Sequence, residues 1–240
     1  MEFEESLHEV TERTRSLAHG SSEDSSPNGF YRFHIRVPAI RQLVKQGYGF
    51  FDLQAVEVIS HWNYIWKNSQ WYEVAHQALY YYQHKFISKA EFNKIKSWVS
   101  RCDCWEHSDD LSKIYAQIVE DNPDWILPLY EKWNRAGSPW KRRQSIVGLI
   151  EYASKRKTIL PFNKLIRFVE PLLDDNDYYV QKGVGWTLRE IFNVYPAETT
   201  IFLTSHVKLL SPIAFSSATE KLSKESKALL KVKRKNEKSK

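Results

Sequence analysis

The stretch Tyr178-Tyr179-Val180-Gln181-Lys182-Gly183-Val184-Gly185-Trp186-Thr187-Leu188-Arg189-Glu190 reads as one helix when projected at about 100° per residue. Val180, Val184, Leu188 and Ile191 fall in one narrow arc, the natural core face. Trp186 lies well off that arc, flanked by Tyr179, Lys182 and Arg189. Rings and cations therefore share a face that the helix does not need for its own packing. A surface that grips a polyanion and gives its bases something to lean on would use such a face. Contact of Trp186 with a neighbouring helix is the alternative.

The same helical period recurs outward in both directions, and strand signals are almost absent. The pattern predicts helices over 2–19, 38–46, 52–67, 71–84, 88–100, 108–120, 122–135, 138–154, 161–173, 176–194, 197–208 and 211–229. Pro38 opens one of them, and Ser88 with Glu91 three residues on carries a capping box for another. Asp121-Asn122-Pro123, Gly137-Ser138-Pro139 and Pro161 are breaks, and Gly20–Asn28 reads as a polar linker. Tyr72, Trp105, Trp140 and Tyr179 mark comparable helix starts at steps of 33, 35 and 39 residues, the spacing of short HEAT-like repeats. The division that follows is residues 1–28, a repeat domain over 29–220 and a tail over 221–240.

Composition bounds the function. A hydrophobic share of 42% supports a real core, so wholesale disorder is excluded, and nine Trp is more than packing alone usually requires. No apolar run approaches the roughly 18 residues of a membrane span. The acidic start Met1-Glu2-Phe3-Glu4-Glu5 has no signal-peptide core, which makes the cytoplasm the expected location. The net charge of +6 belongs to the tail: residues 221–240 hold nine Lys or Arg against Glu225 and Glu237, leaving the body near neutrality. Nucleic-acid binding by the body would need a local patch; the tail reads as extra phosphate affinity or as a solvated, fraying end. Cys102 and Cys104, beside His107, read as reduced thiols, since a bridge between them would be strained and their zinc spacing is unusual. His8, His19 and His76 show no ligand or triad spacing.

Two further places carry chemistry. In Trp105-Glu106-His107-Ser108-Asp109-Asp110, Trp105 and Asp109 are neighbours at i,i+4 if the helix set by Leu111, Ile114, Tyr115 and Ile118 extends back that far. A carboxylate beside an indole is an odd choice for packing. The alternative makes Ser108 an N-cap, with Asp109 and Asp110 complementing the helix dipole. Trp140-Lys141-Arg142-Arg143 puts three cations at a helix start, against the dipole, which suits a phosphate partner or a solvated charge cluster.

These three places resemble the AlkD-like family of DNA alkylation repair glycosylases over roughly residues 70–215. Trp105 and Asp109 match the family's Trp-x-x-x-Asp, Trp140 to Arg143 its Trp-x-x-Arg, and Tyr179 to Glu190 its long aromatic-(Ile/Val)-Gln-Lys-Ala-(Ile/Val)-Gly-Trp-x-Leu-Arg-Glu block. The resemblance implies an all-α, right-handed solenoid of HEAT-like repeats with a concave basic groove. It implies that Trp105 and Trp186 hold the deoxyribose of the lesion and that Asp109 faces its anomeric carbon. Arg143, Arg189 and Lys182 would take phosphates, with Arg142, Trp140 and Arg36 alongside. The implied partner is duplex DNA containing alkylated purines, handled by a monomer without base flipping, cofactor, metal or membrane. The family's Gly-Ile-x-x-Pro-x-x-Arg stands here as His34-Ile35-Arg36-Val37-Pro38-Ala39-Ile40-Arg41, and Glu151 sits where some members place a Lys near DNA. Those departures keep two other readings in view: a non-catalytic repeat protein that binds branched or damaged DNA, and a repeat scaffold for protein partners.

Overall fold

The computed structural model describes residues 1–19, 24–25 and 29–238. The architecture is all-α, with one small addition: strand β1 (Asp24–Ser25) pairs antiparallel with β2 (Tyr31–Arg32). The rest of the predicted Gly20–Asn28 linker lies outside the described residues. The chain divides into two compact units, Met1–Ile114 and Tyr115–Lys240.

The first unit contains α1 (Phe3–Arg15), α2 (Val37–Gln46), α3 (Ala55–Asn68), α4 (Tyr72–Tyr82), α5 (Lys89–Ile95) and the start of α6 (Trp105–Asp121). Its centre is α3, which packs against α1, α4 and α5. Trp62, Trp66 and Trp98 are fully buried there with Tyr82, Phe50 and Leu79. Part of the tryptophan surplus is therefore core after all. Two of these indoles place their polar edge as well: Trp66 donates to the Trp98 carbonyl at 3.2 Å and Trp98 to Asn63 Oδ1 at 3.1 Å. The capping box at Ser88 and Glu91 forms as its sequence predicts.

The chain enters α2 through a left-handed residue at the position matched to the glycine of the resembled segment. His34 has φ 55°, a left-handed conformation that glycine adopts without steric cost. The buried Glu73 carboxylate holds the kink from both sides, accepting from the Phe33 N–H at 3.0 Å and the Ile35 N–H at 3.4 Å. These two hydrogen bonds hold the left-handed backbone that a histidine does not favour.

Asp110 is the electrostatic lock of this unit. His76, Gln83 and Lys113 all donate to its carboxylate. Burial pushes the Asp110 carboxyl up, but the hydrogen bonds and charges of His76 and Lys113 outweigh it and hold the group below the usual carboxylate range. A depressed folded-state value means stability that is complete above the unfolded value of about 3.9 and is lost as pH falls below it. Asp110→Asn is expected to lower the unfolding free energy by about 2 kcal/mol at pH 7. Urea titrations at pH 7 and pH 3 should show the gap between variant and wild type closing at the lower pH.

The second unit holds the rest of α6, then α7 (Pro123–Trp133), α8 (Pro139–Val147), α9 (Phe162–Val169), α10 (Tyr178–Phe192), α11 (Pro196–His206), α12 (Pro212–Ala218) and α13 (Lys224–Lys238). Proline stands at the first turn of α7, α8, α11 and α12, where its missing N–H costs nothing. Helix α10 is the centre, packed chiefly between α8 and α12, with Val180, Val184, Leu188 and Ile191 completely buried. Asp177 caps it, accepting from the Tyr179 and Val180 N–H groups at 2.9 and 3.0 Å. Gly185 is the point of closest approach: a Cβ there would lie 2.6 Å from the Ala214 carbonyl oxygen of α12.

Several boundaries differ from the sequence pattern: the helix predicted over 88–100, for one, is α5 followed by a separate 3-10 turn at Trp98–Arg101. The helix predicted over 138–154 ends at Val147, because the chain turns at Gly148 under the Tyr130 hydroxyl. The segment 211–229 is two helices, α12 and α13, joined by a turn at Thr219–Ser223. The basic tail does not fray as a whole: α13 buries Leu230, and Arg234 donates to the Leu210 carbonyl at 2.8 Å.

Candidate functional site

Helix α6 does extend back to Trp105, with Ser108 N–H donating to the Cys104 carbonyl at 3.2 Å. Ser108 is therefore a fully buried residue inside the first turn and not the cap. Trp105 is 49% exposed at the very start of the helix, and half-buried Asp109 stands one turn further along the same side. The adjacent acids have separated: Asp110 turns inward to its three donors, while Asp109 shares the indole's side of the helix. Arg32 lies beside this end, its guanidinium 3.9 Å from the Tyr72 ring and 3.5 Å from Glu106. Arg36, exposed, precedes α2 as its N-terminal cap residue.

His107 is packed within the same unit, stacked on Tyr72 at 4.7 Å and edge-on to Phe30 and Trp66. Burial, with His76 and two arginines nearby, drives its basicity far down. Burial likewise lifts the Cys104 thiol well above its ordinary range and Asp103 to about 6. One ligand atom from each of Asp103, Cys104 and His107 falls within 4.8 Å of the others, so this set is the one that could hold a metal ion among the described residues.

The second unit carries the other predicted residues. Tyr178 (54% exposed), Lys182 and Trp186 line the open side of α10, with the Lys182 ammonium 5.6 Å from the Tyr178 ring and the Arg189 guanidinium 5.9 Å from Trp186. Trp140 meets Tyr179 at 5.1 Å, which joins the starts of α8 and α10. The cations after Trp140 have internal work. Arg142 grips Asp175 through Nε and Nη2 at 2.6 and 3.2 Å and donates to the Ala136 and Gly137 carbonyls. Arg143 is buried, its Nη1 donating to the Tyr179 carbonyl at 2.7 Å. Of the two alternatives for this cluster, a phosphate partner or solvated charge, these internal bonds speak against simple solvation of Arg142 and Arg143. Arg189 pairs with Glu220 at 2.8 Å.

Residues missed by the sequence reading follow α8. Tyr152 is 42% exposed yet has φ 46°, an outlier for a bulky side chain that costs about 1–3 kcal/mol. Its ring stands edge-on to Trp186 at 5.8 Å, and the exposed Lys155 places its ammonium 4.4 Å from the Tyr152 ring. Glu151 points inward, 3.9 Å from Arg156, so its charge is not offered to the surface as a carboxylate in the lysine's place would be. Nothing in the one-dimensional pattern marks a positive φ on a tyrosine; Gly148 was the available hint of a turn.

Each unit thus presents an aromatic group beside charged side chains, and comparison with known proteins gives the chain's lineage. The family model described as DNA alkylation repair enzyme matches residues 12–222. The chain belongs to that family. Among solved structures it is similar to AlkD2 from Streptococcus mutans, with a TM-score of 0.63 and 19% identity over 92% of this chain and all of the other. It is also similar to smu.31 from Streptococcus mutans UA159, with a TM-score of 0.61 and 18% identity over 91% of this chain and all of that one. At such identities the likeness speaks for the all-α repeat fold. No curated protein matches the sequence. Family membership supports a role in DNA alkylation repair and implies DNA as the partner. No helix among the described residues is long and apolar enough to cross a membrane.

Proposed function

We propose that the protein is a monofunctional DNA glycosylase that hydrolyses the N-glycosidic bond of purines alkylated at N3 or N7 in duplex DNA. The observation that carries this reading is that exposed Trp105 and half-buried Asp109 share one side of the first turns of α6, in a chain of the repair family. An alkylated purine is already cationic, so it leaves without a general acid: the C1′–N bond breaks and its electron pair neutralises the base. The sugar is left with oxocarbenium character. A fixed carboxylate stabilises that charge, and aromatic faces add cation–π attraction. Water then bonds to C1′ and gives up its proton, with Asp109 as the nearby acceptor. In this reading Trp105 and Trp186 hold the sugar, and Lys182 and Arg189 take phosphates, Arg189 exchanging Glu220 for one. Arg36 and Trp140 extend the contact surface. Arg142 and Arg143 act by fixing the starts of α8 and α10, through Asp175 and the Tyr179 carbonyl.

The test is release of free base from methylated duplex DNA. Liberation of 3-methyladenine or 7-methylguanine without strand scission is the expected result. Tight, steeply salt-dependent binding with no base released would instead favour the non-catalytic DNA-binding reading, which Arg36 and the inward Glu151 keep open.

A further inference from the structure

The turn that follows α8 is held in an unfavourable backbone state by partners that have no interest in the tyrosine ring. The Ala153 N–H donates to Glu190 Oε2 of α10 at 3.0 Å, directly after the strained residue. Glu120 of α6 accepts from the Lys157 and Thr158 N–H groups at 2.6 and 3.0 Å and lies 3.7 Å from Arg156. Arg156 in turn faces the buried Glu151. The segment is thus pinned immediately before and after Tyr152, whose φ of 46° is imposed. Tyr152 is nevertheless exposed, with 42% of the residue open to solvent. What the conformation achieves is placement: an exposed phenol at right angles to Trp186, with an exposed ammonium on the ring.

We propose that Tyr152 and Lys155 form a second nucleotide subsite beside Trp186, in which the Tyr152 ring takes the base or sugar next to the lesion and Lys155 takes its phosphate. The chemistry of the pair fits a nucleotide: an aromatic face is tolerant of any base, and a cation within reach of the same ring matches the adjoining phosphate. Glu151, the residue before Tyr152, is buried against Arg156 and does not present its carboxylate to that phosphate. This rests on the reading of Trp186 as a contact to the lesion nucleotide.

The experiment measures affinity for a short duplex carrying one tetrahydrofuran abasic residue, with thermal melting of each variant. Tyr152→Gly removes the ring and permits the positive φ at no steric cost. It is expected to weaken binding at least fivefold while Tm stays level or rises by about 2–4 °C. Tyr152→Phe should bind within twofold of wild type. Lys155→Gln should lower the slope of log affinity against log salt by about one phosphate's worth. Unchanged binding by Tyr152→Gly would overturn the proposal, and so would a fall in its Tm, which would make the ring a buttress of the turn. An unaltered salt slope in Lys155→Gln would overturn the phosphate contact. A wild type that binds this duplex but releases no methylated base defeats the glycosylase reading alone, because the subsite is read out by binding.

Discussion

Asp109→Asn is expected to reduce the single-turnover rate of base release from methylated duplex by at least tenfold while affinity for the same DNA changes less than twofold. The substitution keeps the size and hydrogen-bonding reach of the side chain and removes only its charge. If that charge faces an oxocarbenium-like sugar, the loss falls on the chemical step, where an electrostatic contribution is made only in the transition state. Asp110 provides the internal contrast. Its carboxylate is occupied by His76, Gln83 and Lys113, so Asp110→Asn should act on stability and leave the rate per folded molecule close to wild type. Two neighbouring acids, one turned to a structural lock and one sharing its side with an indole, should therefore fail in different assays. Equal excision by Asp109→Asn and wild type would remove the carboxylate from the mechanism.

Gly185→Ala is expected to destabilise the protein by about 2–3 kcal/mol, whereas Gly183→Ala stays within about 1 kcal/mol of wild type. The two glycines are two residues apart on α10, but they meet different neighbours. A Cβ at position 185 would sit 2.6 and 2.8 Å from the backbone O and Cα of Ala214 and 2.9 Å from Ser217 Cβ, so helix α12 itself must move. At position 183 the nearest atoms belong to the side chains of Val147 and Arg143 at 3.2–3.3 Å, which can yield, and the better helix propensity of alanine offsets the crowding. The family pattern has alanine at the first of these places and glycine at the second, in keeping with that difference in neighbours. Chemical denaturation of the two variants checks it; equal losses would mean that the α10–α12 contact is not the tight one.

The helices were largely legible because their apolar residues recur at the helical period, and Val180, Val184, Leu188 and Ile191 became a fully buried stripe as the pattern required. The pairing of Trp105 with Asp109 was legible once the helix start was known; that start depends on the Cys104 carbonyl, which a propensity argument favouring Ser108 as a cap cannot see. The internal partners of Arg142 and Arg143 were hidden for a related reason. Their partners, Asp175 and the Tyr179 carbonyl, lie more than 30 residues away, so a helix-dipole argument lacked the groups that decide the balance. The end of α8 and the break between α12 and α13 are short-range turns that an unbroken apolar pattern conceals. Tyr152 was invisible because strain is a property of the folded backbone.

In the proposed function, Trp105 on α6 and Trp186 on α10 serve one nucleotide. A double-mutant cycle with Trp105→Ala, Trp186→Ala and the combined variant, read as affinity for duplex DNA carrying a single tetrahydrofuran residue, tests it most directly. If both indoles hold the same sugar, the double variant should lose at least about 1 kcal/mol less than the two single losses together. Strict additivity, within about 0.3–0.5 kcal/mol, would mean that the two act on separate places and would contradict the account.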